Sequence, residues 1–457
     1  MHRSGQSTLE IIIAVTILMA GIIAAIIAIF GGQSLSLDSQ ESTIALRIAQ
    51  REIEKVESQA RYDFAAIISS SSTEDEFIKN ITVTSLSTST KEVTVQITWR
   101  TDPLRLQELT LVTHITDWQS SAASGGDTGG GGLTGDWNNP RTLGSIDLGP
   151  GASATDLDVL NKLVYISSVA AAQSKEDFYI INVEDGQNPY IVSNISTGPG
   201  LNGVDVAGNY AYVAQDKTTK QLQVIDITDK ANPSLATELT LADVSGVNAI
   251  GWSIFYQSEK IYIATKQATG PELHVIDVSS PTAPVEIGSY EVGADVNEIR
   301  VVGNTAYLAT SDDSAELLVL NVSDPAAISL INSFNPAGSE DGKSVYLVGT
   351  KLYLGRETGQ SDELRVLDVS NPASIQILGT KNITYDVTGI LVRDYLAFIT
   401  TSAPNEEFQV WNITDPANIT KVSGFNFPQV ANGIDYEDNL VYVAVRSNDA
   451  LRIITSQ

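Results

Sequence analysis

The sequence predicts a mainly β protein: a long N-terminal helix with a small antiparallel sheet, followed by a seven-bladed β-propeller. Three observations lead there. An apolar run and a helical stripe open the chain, a Gly-rich segment interrupts it, and the remainder repeats one phrase of short β runs. The expected parts are a leader at 1–5, a stem helix at 6–66, a sheet at 67–118, a linker at 119–139 and the propeller at 140–457.

Ile11 to Phe30 carries no charged residue. As a helix it would extend about 30 Å, enough for a bilayer core, and it is longer than the apolar core of a cleavable secretory signal. Glu10 stands at its N-terminal edge, preceded by MHRSG and QSTL. A carboxylate beside hydrocarbon is costly unless paired, so Glu10 asks for a cation. Arg3 before the run predicts a cytoplasmic N-terminus.

This arrangement resembles the type IV pilin and pseudopilin signal. The resemblance implies cleavage by a prepilin peptidase after Gly5, with Gln6 as the new N-terminus and Glu10 as the fifth mature residue. It also implies an ammonium at Gln6 neutralised by a neighbouring subunit's Glu10 during filament assembly. The family's first mature residue is often Phe, so Gln6 departs from the pattern and weakens the case for N-methylation. The expected location is a single-pass helix in the cytoplasmic membrane, N-terminus inside, and then a pilus at the cell surface. Implied partners are the peptidase, other pilin subunits and the membrane.

Beyond Gly31-Gly32, the residues Ala45, Ala49, Ile53, Val56, Ala60 and Phe64 recur at three- and four-residue intervals, predicting an amphipathic stem that packs on a sheet. Glu52, Glu54, Lys55 and Glu57 read as solvated charge. Strands are expected at Ile81–Ser87, Val93–Trp99 and Leu106–Ile115, the second alternating Val93, Val95, Ile97 and Trp99 with polar residues. A stem helix over such a meander also resembles a minor pilin head. His114 falls on the third run, far in sequence from His2 and His274, and reads as structural.

Ser120–Gly135 is rich in Gly and Ser, and about sixteen residues of such coil separate their ends by roughly 20–24 Å. Downstream, FYIINVEDGQNP, LQVIDITDKANP, LHVIDVSSPTAP, LLVLNVSDPAAI, LRVLDVSNPASI and FQVWNITDPANI align on Asn182, Asp226, Asp277, Asn321, Asp368 and Asn412. Subtraction gives spacings of 44, 51, 44, 47 and 44 residues, the length of a four-stranded blade. A second phrase, from VYISS to VYVAV, occurs seven times. Pro140–Gly149 aligns with the outer-strand segment Pro284–Gly293, so the first strand is expected to complete the last blade. The phrases LHVIDVSSP and LRVLDVSNP resemble the LVIVD repeat, which specifies fold better than activity.

The aligned Asp/Asn residues precede Ser, Thr and Pro turns and read as turn architecture, with no metal expected. Where each inner strand begins, Thr155, Asn202, Asn248, Asn297, Lys343, Thr388 and Asn432 form a candidate polar ring at the axis, suited either to backbone bonding or to a glycan or protein ligand. The acidic pairs Asp312-Asp313, Glu406-Glu407 and Asp156/Asp158 are expected by chance among 55 acids, so no catalytic residue and no cofactor is assigned.

The formal charge of −28, from 27 bases and 55 acids, disfavours nucleic acid as a partner of the propeller. Residues 119–457 carry most of it, with 18 Lys+Arg against 41 Asp+Glu. With no Cys, disulfides and thiol chemistry are excluded. The expected function is a minor or tip pilus subunit displaying a recognition propeller. A pseudopilin of a secretion or DNA-uptake machine and a membrane-tethered glycan enzyme are the competing classes.

Overall fold

The computed structural model describes residues 41–56, 59, 67–85, 90–102, 105–116, 133–170, 175–198, 200–336, 338–447 and 449–457. Contacts divide the chain into two units, one holding a helix and small sheet, the other the repeats.

In the first unit, β1 (Ser70–Glu74), β2 (Phe77–Ser85), β3 (Thr90–Asp102) and β4 (Arg105–Thr116) form one antiparallel sheet in chain order. The alternation of β3 buries Val93, Val95, Ile97 and Trp99, as its period-two pattern requires. The helix over 41–56 buries Ala45, Ile48, Ala49 and Val56.

Two expectations are corrected. Among the described residues the expected long N-terminal helix is a short one over 41–56, and the unit is mainly β. No helix among the described residues is long and apolar enough to cross a membrane, which conflicts with the single-pass anchor and with the membrane and cell-surface placement built on it. Ile11–Phe30 itself lies outside the described residues, as do Ala60 and Phe64 of the stripe. Glu52 also differs from its expected solvated setting. It is buried on the packing face, where Lys79 Nζ donates to its Oε1 at 2.7 Å. A buried carboxylate needs such a partner, and this one comes from β2.

The second unit contains seven four-stranded antiparallel sheets. Blade 1 runs Ala152–Leu160, Leu163–Ala170, Phe178–Asn182, Tyr190–Ile195, from inner strand to outer. Blades 2 to 6 repeat this with inner strands Leu201–Ala207, Gly251–Gln257, Val296–Val302, Gly342–Val348 and Val387–Arg393. Blade 7 takes Ala431–Glu437, Leu440–Val445 and Asp449–Thr455 from the chain's end and Arg141–Asp147 from the repeat region's start. The expected closure is therefore present.

Packing explains why the sheets need one another. Each of seven apolar clusters joins two neighbouring blades, such as Leu273 and Val275 of blade 3 with Val296 and Ile299 of blade 4, or Tyr442 and Leu451 of blade 7 with Leu157 and Val159 of blade 1. The core is thus distributed between blades, and a single blade would expose both apolar faces to water. Tight turns join inner to second strands, and Gly208, Gly303, Asp438 and Asn439 adopt the positive φ those turns demand.

Candidate functional site

The repeated Asp/Asn is a turn residue. Oδ1 of Asn182, Asp226, Asp277, Asn321, Asp368 and Asn412 each accepts the backbone N–H two residues later, at 2.8–3.0 Å. The Ser279 hydroxyl with its N–H, and the Ser370 N–H with its hydroxyl, favour the ionised form and hold Asp277 and Asp368 below the usual carboxylate range.

The polar ring is brought together in part. Inner strands carry a bulge at their first residues, and the ring side chain projects from it. Thr155 Oγ1 donates to Leu201 O at 2.7 Å, Asn202 Nδ2 to Gly251 O at 2.8 Å, Asn297 Nδ2 to Gly342 O at 2.6 Å and Thr388 Oγ1 to Ala431 O at 2.6 Å. Each bond runs from one blade to the first inner-strand residue of the next. In blade 5, Ser344 Oγ makes the equivalent bond to Val387 O at 3.1 Å, while Lys343 Nζ pairs with Asp341 at 3.0 Å and Glu357 at 3.8 Å. Asn432 lies in the blade 7 bulge, its carbonyl accepting from Thr400 Oγ1. Asn248 stands three residues before its strand, exposed, and the bulge register gives blade 3's ring position to Trp252.

Further down the inner strands, acids latch blade to blade. Val204 N–H donates to Asp156, Val206 N–H to Asp158, Tyr256 N–H to Asp205, Val345 N–H to Glu298 and Val159 N–H to Asp435, at 2.7–3.2 Å. Burial pushes the Asp156 carboxyl up to about 7, opposed by the N–H groups of Val204 and Leu157 and reinforced by the Glu298 charge. Glu298 is also raised by burial, with Arg300 pulling the other way at 2.7 Å.

Sequence reasoning missed a third set. A buried Asp177, Gln221, Glu272, Glu363 or Glu407 immediately precedes the third strand of its blade and accepts backbone N–H groups of the connection to the next blade. The signal was there in QL, EL and EF at the head of the repeated phrase. Glu316 occupies the same place but binds Arg356, which also donates to Glu340. His274 is fully satisfied, with Nδ1 at 2.7 Å from Glu286 and Nε2 at 2.9 Å from Pro271 O. Among the described residues no group of His, Cys, Asp and Glu could hold a metal. Gly5, Gln6 and Glu10 lie outside the described residues, and of His114 only its place on β4 is described.

The LVIVD repeat model matches residues 202–240, 261–292, 293–336 and 358–382, the central blades. The fold is a β-propeller built on LVIVD repeats. Among solved structures, the propeller is similar to a chain of the mitotic checkpoint complex, with 13% identity, a TM-score of 0.54, and coverage of 71% of this chain and 98% of that one. Virginiamycin B lyase from Staphylococcus aureus is similar at 12% identity and a TM-score of 0.52, covering 70% of this chain and 100% of the lyase. At such identity the likeness is one of fold alone. Comparison with curated protein sequences returns no match.

Proposed function

We propose that the chain is a non-enzymatic recognition protein. Its propeller binds a glycan or protein ligand, and its N-terminal segment, resembling a type IV pilin, joins an assembly of pilin-type subunits after cleavage between Gly5 and Gln6. The fate of the acidic side chains supports the binding half of this reading. Paired carboxylates with unlike environments are the means of acid–base hydrolysis, yet here Asp156, Asp158, Glu298 and Glu407 each accept a neighbouring backbone N–H, and Glu406 pairs with Lys421. A scaffold fixed this firmly suits presentation of a preformed surface.

The assembly half rests on Gly5, Gln6 and Glu10. Co-expression of the full chain with a prepilin peptidase, followed by N-terminal sequencing, tests it. The expected mature protein begins at Gln6, Gly5→Val blocks the cut, and Glu10→Ala is cut normally but fails to join pilin-type subunits. A chain that keeps Met1 in the presence of active peptidase refutes this half.

A further inference from the structure

Blade 3 departs from the repeat at three places that converge on its ring face. The connection from its predecessor spans Thr240–Ile250, because one strand ends at Leu239 and the next begins at Gly251. By the same count, blades 2, 4, 6 and 7 are entered through five residues each (Ser196–Gly200, Glu291–Asp295, Asn382–Asp386, Asn426–Val430) and blade 5 through seven (Asn335–Asp341). The extra length is ordered by pairing with the connection between blade 3's second and third strands. Ser245 and Thr269 exchange both backbone hydrogen bonds at 2.9 Å, and a side chain at Gly270 would collide with the carbonyl of Asp243.

At the foot of this wall is Trp252, half-buried at the ring position where Thr155, Asn202, Asn297 and Thr388 spend their side chains latching the next blade. Lys266, from the paired connection, places Nζ 3.8 Å from the centre of the Trp252 ring. No carboxylate stands within ion-pair range of Lys266 among the described residues, whereas Lys343 has two. The neighbouring Asn202 and Asn297 donate through Nδ2, which leaves Oδ1 of each as an acceptor.

From this geometry we infer a saccharide-binding site on the ring face of blade 3, in which the Lys266 ammonium seated on the indole moves aside to donate to the hydroxyls of an uncharged pyranose whose C–H face takes its place on Trp252. The inference rests on the propeller being the binding module and names its ligand class. An indole offers a wide, flat apolar surface with little rotamer entropy to lose, and amide oxygens with an ammonium match the mixed donor–acceptor edge of a sugar. Charge selects the neutral class: 41 acids against 18 bases in residues 119–457 repel uronates and sialosides. Long loops carried on a rigid scaffold are where binding residues gather.

The test is a glycan array probed with the full chain, followed by calorimetric titration of the best neutral oligosaccharide and of an oligogalacturonate. Expected results are binding of at least one neutral glycan, a loss of about tenfold or more in Trp252→Ala and Lys266→Gln, and retention in Trp252→Phe, all with an unchanged thermal midpoint. Preference for the uronate, or affinity unmoved by Trp252→Ala and Lys266→Gln, overturns the site while leaving a recognition propeller standing. A wild-type chain that binds no saccharide overturns it too, and N-terminal sequencing reports on the assembly reading independently.

Discussion

At the residue scale, Asp156 shows how latch and titration oppose one another. Its carboxyl serves Val204 N–H, but its surroundings favour the neutral form and raise it from 3.8 to about 7. Asp177, satisfied by Thr197, is raised to about 6 by the same burial. An acid with a raised folded-state pKa holds its proton between the two values while the unfolded chain has lost it, so stability falls as pH climbs through that window. For Asp156 the window is about pH 4 to 7. Asp156→Asn keeps an acceptor and removes the ionisation, so the variant should match the wild type near pH 4 and exceed it by roughly 1–3 kcal/mol at pH 8. Urea unfolding at the two pH values measures this; equal slopes for both proteins would remove the argument. Little of this was legible in the sequence. TDLDV reads as two acids on a strand, and only the neighbouring inner strand, more than forty residues away, turns them into latches.

At the element scale, the connections between blades depend on the residue heading each third strand. Five of the described blades place there a buried group that accepts backbone N–H, and blade 4 instead commits Glu316 to Arg356. Arg356 is fully buried, donates to Glu340 at 2.9 Å and to Asp362 O at 3.1 Å, and Glu340 in turn accepts from Gln360 and Ser361. Thus one guanidinium ties the entrance of blade 5 to blade 4. Arg356→Ala leaves Glu316 buried without its ion-pair partner and should cost about 3–5 kcal/mol. The pair Arg356→Met with Glu316→Met should cost much less than the sum of the singles, since both buried charges leave together. A double-mutant cycle by chemical denaturation decides, and additive losses would contradict the coupling. Strand identity was plain from period and phrase, because burial between blades imposes the same pattern seven times. The blade 3 ring position was not, since the lengthened connection shifted the count onto Asn248 and hid Trp252.

At the scale of the propeller, stability depends on a seam where the repeat is cut. The segment Asp136–Pro140 reproduces the turn of blades 1 and 2. Asn139 Nδ2 donates to Asp136 as Asn188 does to Asp185 and Asn232 to Asp229, although this stretch was expected to be linker. Asp136 and Gln457 exchange backbone hydrogen bonds at 2.8 and 3.3 Å, so the two ends meet where the other blades have continuous chain. Ser423 Oγ then donates to Trp137 O, the bond that Ser193 makes to Lys230 O elsewhere. Trp137 is buried against Phe398, their ring centres 4.8 Å apart, in the cluster joining blades 6 and 7. Its removal opens a cavity beside the seam, where Arg141–Asp147 is held to Asp449–Thr455 by pairing alone, so Trp137→Ala should cost about 3–5 kcal/mol, as for other large aromatic deletions. The loss should also be local first: amide exchange in Arg141–Asp147 and Asp449–Thr455 should accelerate before that of blades 3 and 4. Uniform acceleration across all blades would mean that the ring unfolds as one unit and that the seam is no weaker than any other joint.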